Sequence, residues 1–261
     1  MKIVLLGSGN VATCLGRLCI SANHYIVQVF GRNIASVEKL AKETKAQPIT
    51  DWAAIDRHAD FYIAALSDGA LADLADKLQL QNGVIVHTAG AVSMQVLSGV
   101  SKNYGVLYPL QSLRKEIVYY QHIPLLIDGN TPDDKTLIAN FAGTLSNTIS
   151  YVNDADRLRL HLAAVLVSNF TNHLFTLAND FCFQEKIDFN LLLPLMEHTV
   201  SRLGSFSPNQ LQTGPATRND ATTIQKHLNL LKKNPKTAYM YEIMTQSIRD
   251  YTTIEVSKTY K

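Results

Sequence analysis

The sequence predicts an α/β chain, a doubly wound parallel sheet followed by an all-α C-terminal domain, and a small set of patterns carries that prediction. Short apolar runs alternate with helix-forming segments from Lys2 to about residue 150, the order of βαβ units. At the first junction Ile3-Val4-Leu5-Leu6 runs into Gly7-Ser8-Gly9-Asn10-Val11-Ala12, a strand, a glycine turn and a helix start in succession. After Tyr151 the strand signals stop and only helical periodicity remains. Together these predict a Rossmann sheet over residues 1–152 that binds a dinucleotide, and a helical substrate and dimerisation domain over 153–261.

Taken in order, the β-rich apolar runs place strands at Lys2–Leu6, Tyr25–Phe30, Phe61–Leu66, Val84–His87, Tyr104–Tyr108 and Ile123–Ile127. Helices are expected between them near Val11–Ile20, Ala35–Thr44, Gly69–Leu78 and Asp133–Leu145, with a short helical turn near Ser93–Leu97. Asn153-Asp154 then caps a long helix over about Ala155–Gln184. Further helices follow near Asp188–Leu203, Asp220–Lys232 and Pro235–Thr253, the last opened by Asn234 as cap and Pro235 at the first helical position.

Within the long helix, Leu158–Phe183 is apolar around nearly its whole circumference, through Leu160, Leu162, Val165, Leu166, Val167, Phe170, Leu174, Phe175, Leu177 and Phe181. Such a helix must be covered on several faces. Either its own domain wraps it, or part of it meets a second copy of the chain, and a homodimer through the C-terminal helices is the expectation carried forward.

Composition narrows the partners. Lys and Arg number 24 against 22 Asp and Glu, a net charge of +2, and no basic stripe interleaves with aromatics. Nucleic acid and an anionic membrane are therefore poor partners, and a small-molecule substrate is the expectation. The apolar run after Met1-Lys2 is too short for a signal-peptide core, and no later segment reaches a membrane span without polar interruption. Cys14, Cys19 and Cys182 are odd in number, lack metal-ligand spacing and sit in apolar helical context, so they read as reduced core residues of a cytoplasmic protein. Asn169-Phe170-Thr171 matches a glycosylation sequon but lies inside an apolar helix of a chain without a secretion signal.

The glycine turn has a chemical reading. Gly7 permits the sharp turn, Gly9 leaves no side chain between backbone and a pyrophosphate, and Ala12 lets the helix pack closely on the sheet. The N–H groups of Asn10, Val11 and their neighbours then point at the phosphates, with Ser8 alongside. After the second strand, where an NAD-binding chain places a carboxylate, this one reads Gly31-Arg32-Asn33 and has no acid until Glu38. Arg32 suits a 2′-phosphate and can stack on adenine, with Asn33 and Ser36 as neutral donors, so the expected cofactor is NADP.

Ligands of such sheets bind outside the carboxyl ends of the strands. There the chain places Ser67 for the nicotinamide side with Asp68 as helix cap, His87-Thr88-Ala89-Gly90 with small residues that admit close approach, and Tyr108-Pro109-Leu110-Gln111-Ser112. In the C-terminal half, Thr213-Gly214-Pro215 feeds Arg218-Asn219-Asp220 and a helix carrying His227, an arrangement suited to an anion.

These residues carry a resemblance. GSGNVA (7–12), ALSDGAL (65–71), VIVHTAGAVS (84–93), GVLYPLQSL (105–113), Val167-Ser168-Asn169 and above all TGPATRND (213–220) with His227-Leu228 resemble an uncharacterised group of Rossmann-like NADP oxidoreductases whose C-terminal domain has no assigned function. The wider architecture is similar to pyrroline-5-carboxylate reductase and the 6-phosphogluconate dehydrogenase-like β-hydroxyacid dehydrogenases. The group usually has histidine where this chain has Tyr108, and alignment on Asn169 puts Val165 where the β-hydroxyacid dehydrogenases carry a lysine. Valine cannot protonate an oxygen, which shifts the expectation toward an imine or a differently catalysed carbonyl. The expected function is an NADP-dependent oxidoreductase passing hydride between NADPH and a small C=O or C=N substrate in a cleft between the domains, the substrate being anionic because Arg218 and a helix start follow the Thr213-Gly214-Pro215 turn. Tyr108, Asn169, His173, Arg218 and His227 are the expected substrate-side residues, with Asn169 and His173 one helical turn apart. The alternative is an NADP(H)-binding regulator without turnover.

Overall fold

The computed structural model describes residues 1–118 and 122–259. The chain packs as two compact units, Met1–Phe170 and Thr171–Lys261. The division expected at 152/153 coincides with the end of the sheet, whose last strand closes at Tyr151, whereas the first packing unit runs on to Phe170.

In the first unit the strands are β1 (Lys2–Leu6), β2 (Tyr25–Phe30), β3 (Gln47–Ile49), β4 (Phe61–Ala64), β5 (Val84–His87), β6 (Tyr104–Pro109), β7 (Leu125–Gly129) and β8 (Ile149–Tyr151). They form one eight-stranded sheet in the order β3-β2-β1-β4-β5-β6-β7-β8. Pairing is parallel except between β6 and β7, so the sheet is mostly rather than wholly parallel. The chain order reverses between β1 and β4, and a crevice is expected at their carboxyl ends.

The helices are α1 (Asn10–Ser21), α2 (Ile34–Thr44), α3 (Asp68–Ala72), α4 (Pro132–Leu145) and α5 (Asp154–Ala164). Alternation along β1 shows how the layers form: Ile3 and Leu5 join a cluster with Leu15, Cys19, Leu40 and Phe141, whereas Val4 and Leu6 join Leu71, Leu74, Leu78 and Leu97 in another. Cys14 and Cys19 are buried thiols, as expected, and burial pushes the Cys19 thiol up to about 12.

Several elements differ from expectation. The short β3 and β8 were not anticipated; each has three residues and lies at an edge of the sheet, and Pro48 within β3 suits an edge strand. The helix expected over Gly69–Leu78 ends at Ala72, although Leu71, Leu74 and Leu78 stay buried through the turns that follow. Core-facing spacing there survives without a helix. The strand expected at Ile123–Ile127 lies at Leu125–Gly129.

Past α5 the chain winds as a π-helix over Val165–Phe170, which closes the first unit. The second unit comprises α6 (Thr171–Glu185), α7 (Leu193–Ser201), α8 (Ala221–Leu230) and α9 (Pro235–Thr259). Its own core is thin. Among its described residues only Cys182, Ala216, Ile224, Leu231 and Thr245 are buried. No helix among the described residues is long and apolar enough to cross a membrane.

Candidate functional site

A cleft of about 840 Å³ lies within the first unit, at the carboxyl ends of β1, β4, β5 and β6. On one side it is lined by Gly9, Asn10 and Val11, then by Ser67, Asp68 and Thr88, and on the other by Tyr108, His161, Ser168 and Asn169.

The glycine turn is shaped as its chemistry requires. Gly7 sits at φ +125°, and a Cβ there would fall 2.3 Å from the Ala65 carbonyl oxygen, so strand and turn can meet only through glycine. Gly9 is the N-cap of α1 and supplies no side chain to it, the first turn of α1 has no acid, and a Cβ on Gly9 would meet nothing within 4 Å. The leading N–H groups of α1 are thus uncapped and open toward the cleft, which fits a pyrophosphate. Asn10 is partly committed: its Oδ1 accepts from Lys115 N at 3.3 Å. Arg17, paired with Glu43, donates to the carbonyls of Lys115 at 2.8 Å and Ile117 at 3.1 Å. The loop after β6 is therefore pinned beside the glycine turn, a neighbourhood that local patterning does not reveal.

At the end of β2, Gly31 is buried, and a Cβ would lie 2.8 Å from Val37 Cγ2 and 3.1 Å from Ser8 Oγ. Arg32 is exposed. Asn33 is the N-cap of α2, its Oδ1 accepting from Ser36 N at 3.0 Å, so its amide nitrogen is the group left to donate. Ser8, Ser36 and Lys39 line a small neighbouring pocket, and Lys39 is a cation that the sequence reading passed over.

Ser67, rather than Asp68, occupies the N-cap position of α3, with no side-chain capping bond, while Asp68 stands in the first turn. The Ser67 hydroxyl is thus not spent on the helix. At the end of β5 His87 is fully buried: its Nδ1 accepts from Ala89 N at 3.2 Å and its Nε2 has no partner. Burial pushes its imidazole down to about 4, and the Arg157 guanidinium adds to that, with Asp154 opposing. Arg157 itself is buried on α5. Its Nη2 pairs with Asp154 Oδ1 at 2.9 Å and donates to the Val92 carbonyl, leaving Nε and Nη1 without partners. Asp154 in turn accepts from Ser93 Oγ at 2.6 Å and Met94 N at 3.0 Å, tying α5 to the loop after β5.

Tyr108 faces the cleft as expected, and its hydroxyl lies 2.9 Å from His161 Nδ1, the rings meeting edge-on with centroids 5.9 Å apart. Burial pushes the Tyr108 phenol up, with Arg157 pulling it back. His161 was not among the expected residues. It lies four residues after Arg157 on α5, hence on the same face, and Gly90 leaves room for its ring. A Cβ on Gly90 would fall 2.6 Å from both Cγ and Nδ1 of His161.

The π-helical segment brings Val165, Ser168 and Asn169 to the cleft. π segments recur at functional sites. This one also removes the reason for pairing Asn169 with His173, because the four-residue spacing of an α-helix does not hold across it.

The remaining expected residues lie in the second unit. His173 and Arg218 are exposed. Asp220 is the N-cap of α8, accepting from Thr223 N at 2.9 Å, so the helix start offered to an external anion already holds a carboxylate. That hydrogen bond, with Arg218 contributing, holds Asp220 below the usual carboxylate range. His227 Nδ1 lies 2.8 Å from Tyr241 Oη at the wall of a separate apolar cavity of about 600 Å³, where it is satisfied internally.

Known proteins resemble this chain over both of its parts. The family described as NADP oxidoreductase, coenzyme F420-dependent, matches residues 2–90, and a domain of unknown function, DUF2520, matches residues 123–248. A Bacteroides fragilis structure described as an NADP oxidoreductase is 35% identical, with a TM-score of 0.91, covering 95% of this chain and 98% of its own. An imine reductase from Myxococcus stipitatus, solved with NADP+, is 15% identical with a TM-score of 0.66, covering 97% of this chain and 95% of its own. A 1-pyrroline-5-carboxylate reductase from Streptococcus pyogenes is 13% identical with a TM-score of 0.63, covering 96% of this chain and 98% of its own. The last two share the fold. No curated protein matches the sequence.

Proposed function

The chain belongs to the NADP oxidoreductase family that includes the Bacteroides fragilis protein, an F420-dependent-type oxidoreductase domain followed by DUF2520, and on that premise we propose an NADPH-dependent reductase acting on a small C=N or C=O compound. The observation that carries the reading is the cleft of the first unit, which joins an uncapped helix start to a half-buried tyrosine–histidine pair. Family and fold raise the expectation of redox chemistry, but the site must carry the function.

In this reading Gly7, Ser8, Gly9, Asn10 and Val11 hold the pyrophosphate. Arg32, with the Asn33 amide, Ser36 and Lys39, takes the 2′-phosphate, and Ser67 and Thr88 face the nicotinamide side. Bound NADPH supplies the hydride. The protein's own part is to place the acceptor carbon, exclude water and provide a proton to the heteroatom, for which Tyr108 is the group in position, beside Ser168 and Asn169. Among the described residues no lysine lines the cleft. A C=N acceptor suits this lining, because an imine nitrogen is more basic than a carbonyl oxygen and asks less of its proton donor.

Among the described residues no arginine lines the cleft either.

A homodimer through the C-terminal helices belongs to the same proposal. Val167 is 75% exposed and Leu162 62% in the first unit, and Phe183 is 83% and Leu191 73% exposed in the second. That much bare apolar surface around a thin core supports a second copy as its cover. The experiment for the whole reading is NADPH consumption, with NADH as comparison, over a panel of imines, keto acids and aldehydes. Turnover favouring NADPH supports it, whereas tight NADPH binding with no consumption would favour a regulator.

A further inference from the structure

The cleft holds few groups able to give a proton at neutral pH. Its described lining residues with an acidic or basic side chain are Asp68, Tyr108 and His161, and Asp68 stands in the first turn of α3, beside Ser67, leaving Tyr108 and His161. These two are bonded to each other at 2.9 Å, half-buried, and held in place from both sides. Tyr108 is fixed by its strand, paired opposite Leu126 of β7. His161 is fixed by α5 and by Gly90, whose missing Cβ leaves no more room than the ring uses.

The chemistry of such a contact depends on the charge of the imidazole. When His161 is neutral with Nδ1 bare, the phenol proton is drawn to that nitrogen and is not offered to the cleft. When His161 is protonated, its Nδ1–H donates to the phenol oxygen, and the phenol's own proton is free to point elsewhere. Burial raises the Tyr108 phenol, so a phenolate left there after proton donation is costly and needs a proton at once.

Building on the reductase reading above, we propose that His161 and Tyr108 form a proton relay in which protonated His161 acts through Tyr108. As hydride reaches the acceptor carbon, the π-electron pair moves to the heteroatom, which takes the Tyr108 hydroxyl proton. The Tyr108 Oη–H bond breaks and Oη takes the proton from His161 Nδ1. His161 then recovers a proton from water, so each reduction consumes one solvent proton. Around the pair stand Arg157 and Asp154 on α5, His87 on β5 and Asp68 on α3. Arg157 and Asp154 are ion-paired, and His87 is held neutral by burial, so none of these takes part in the relay.

His161→Asn separates proton supply from positioning. An asparagine amide at this place can still hold the Tyr108 hydroxyl but cannot titrate. The expected result is a fall in kcat of about a hundredfold, with NADPH affinity unchanged. In the natural protein kcat should fall as the pH rises, and H161N should lose that dependence. Tyr108→Phe should cost about as much as H161N, and the double variant little more, because the two act as a unit. A readout independent of turnover is the Tyr108 ¹³Cζ resonance in the nucleotide-free protein, which should inflect as the pH is varied and lose that inflection in H161N. A missing inflection, or H161N keeping the natural pH profile, overturns the relay and leaves the reductase reading intact. Natural protein that binds NADPH yet reduces nothing in the panel overturns both.

Discussion

Lowering the pH should destabilise the first unit through one buried residue at the end of β5. His87 is fully buried, and its imidazole is pushed down to about 4 from the 6.5 of an exposed histidine. Above pH 6.5 the side chain is neutral in both folded and unfolded chains and contributes no pH dependence. Between about 6.5 and about 4 the unfolded chain takes up a proton that the native protein refuses, so stability falls as the pH falls. The gap of about 2.5 pH units corresponds to about 3 kcal/mol once the pH is below the folded value. His87→Asn is the matched control: an amide oxygen can keep the bond from Ala89 N, and Nε2 has no partner to lose. Urea unfolding at pH steps from 7.5 to 4, followed through Trp52 in the first unit, should show the natural protein losing about 3 kcal/mol more than H87N across that range. Asp154, whose folded pKa is lowered by hydrogen bonds from Ser93 and Arg157 against the opposing effect of its burial, loses its contribution only at lower pH and does not confuse the comparison. Parallel stability curves for the two proteins would refute the reasoning.

Arg32→Asp should weaken NADPH binding about tenfold or more, the loss of a charge-assisted bond of about 1.5–3 kcal/mol, and narrow the preference over NADH, read by calorimetry. Gly90→Ala should cost about 1–3 kcal/mol of stability in urea unfolding, because its Cβ would fall 2.6 Å from the His161 ring and must displace it, and kcat should fall with the lost Tyr108 contact. Sedimentation at micromolar concentration should show a dimer whose stability declines on dilution; a stable monomer would leave the exposed Val167 and Phe183 without the cover proposed for them.

The strand, glycine turn and helix at residues 2–21 were legible because each residue there has a local reason: Gly7 its φ, Gly9 its open cap, Ile3 and Leu5 their alternation. The small edge strands β3 and β8 were not, since three residues carry no periodicity. Tyr108 was visible as a strand-end residue, but His161 became visible only when folding brought it 53 positions in sequence back to Tyr108. The anion site read at Asp220 shows the opposite failure. A cap and a ligand site share one signature, and here the side chain of Asp220 caps the helix itself. The even apolar coat of the helix after Asn153 hid a π segment, because residues that are apolar all round give no phase from which a change of pitch can be read.

The most direct measurement is the fate of the hydride. NADPH deuterated at C4 of the nicotinamide, incubated with the protein and the substrate panel, should yield a reduced amine or alcohol carrying one deuterium on the former C=N or C=O carbon, detected by mass spectrometry. NADPH bound with the affinity expected of an intact phosphate site, and no deuterium in any product, would contradict the assignment as a reductase.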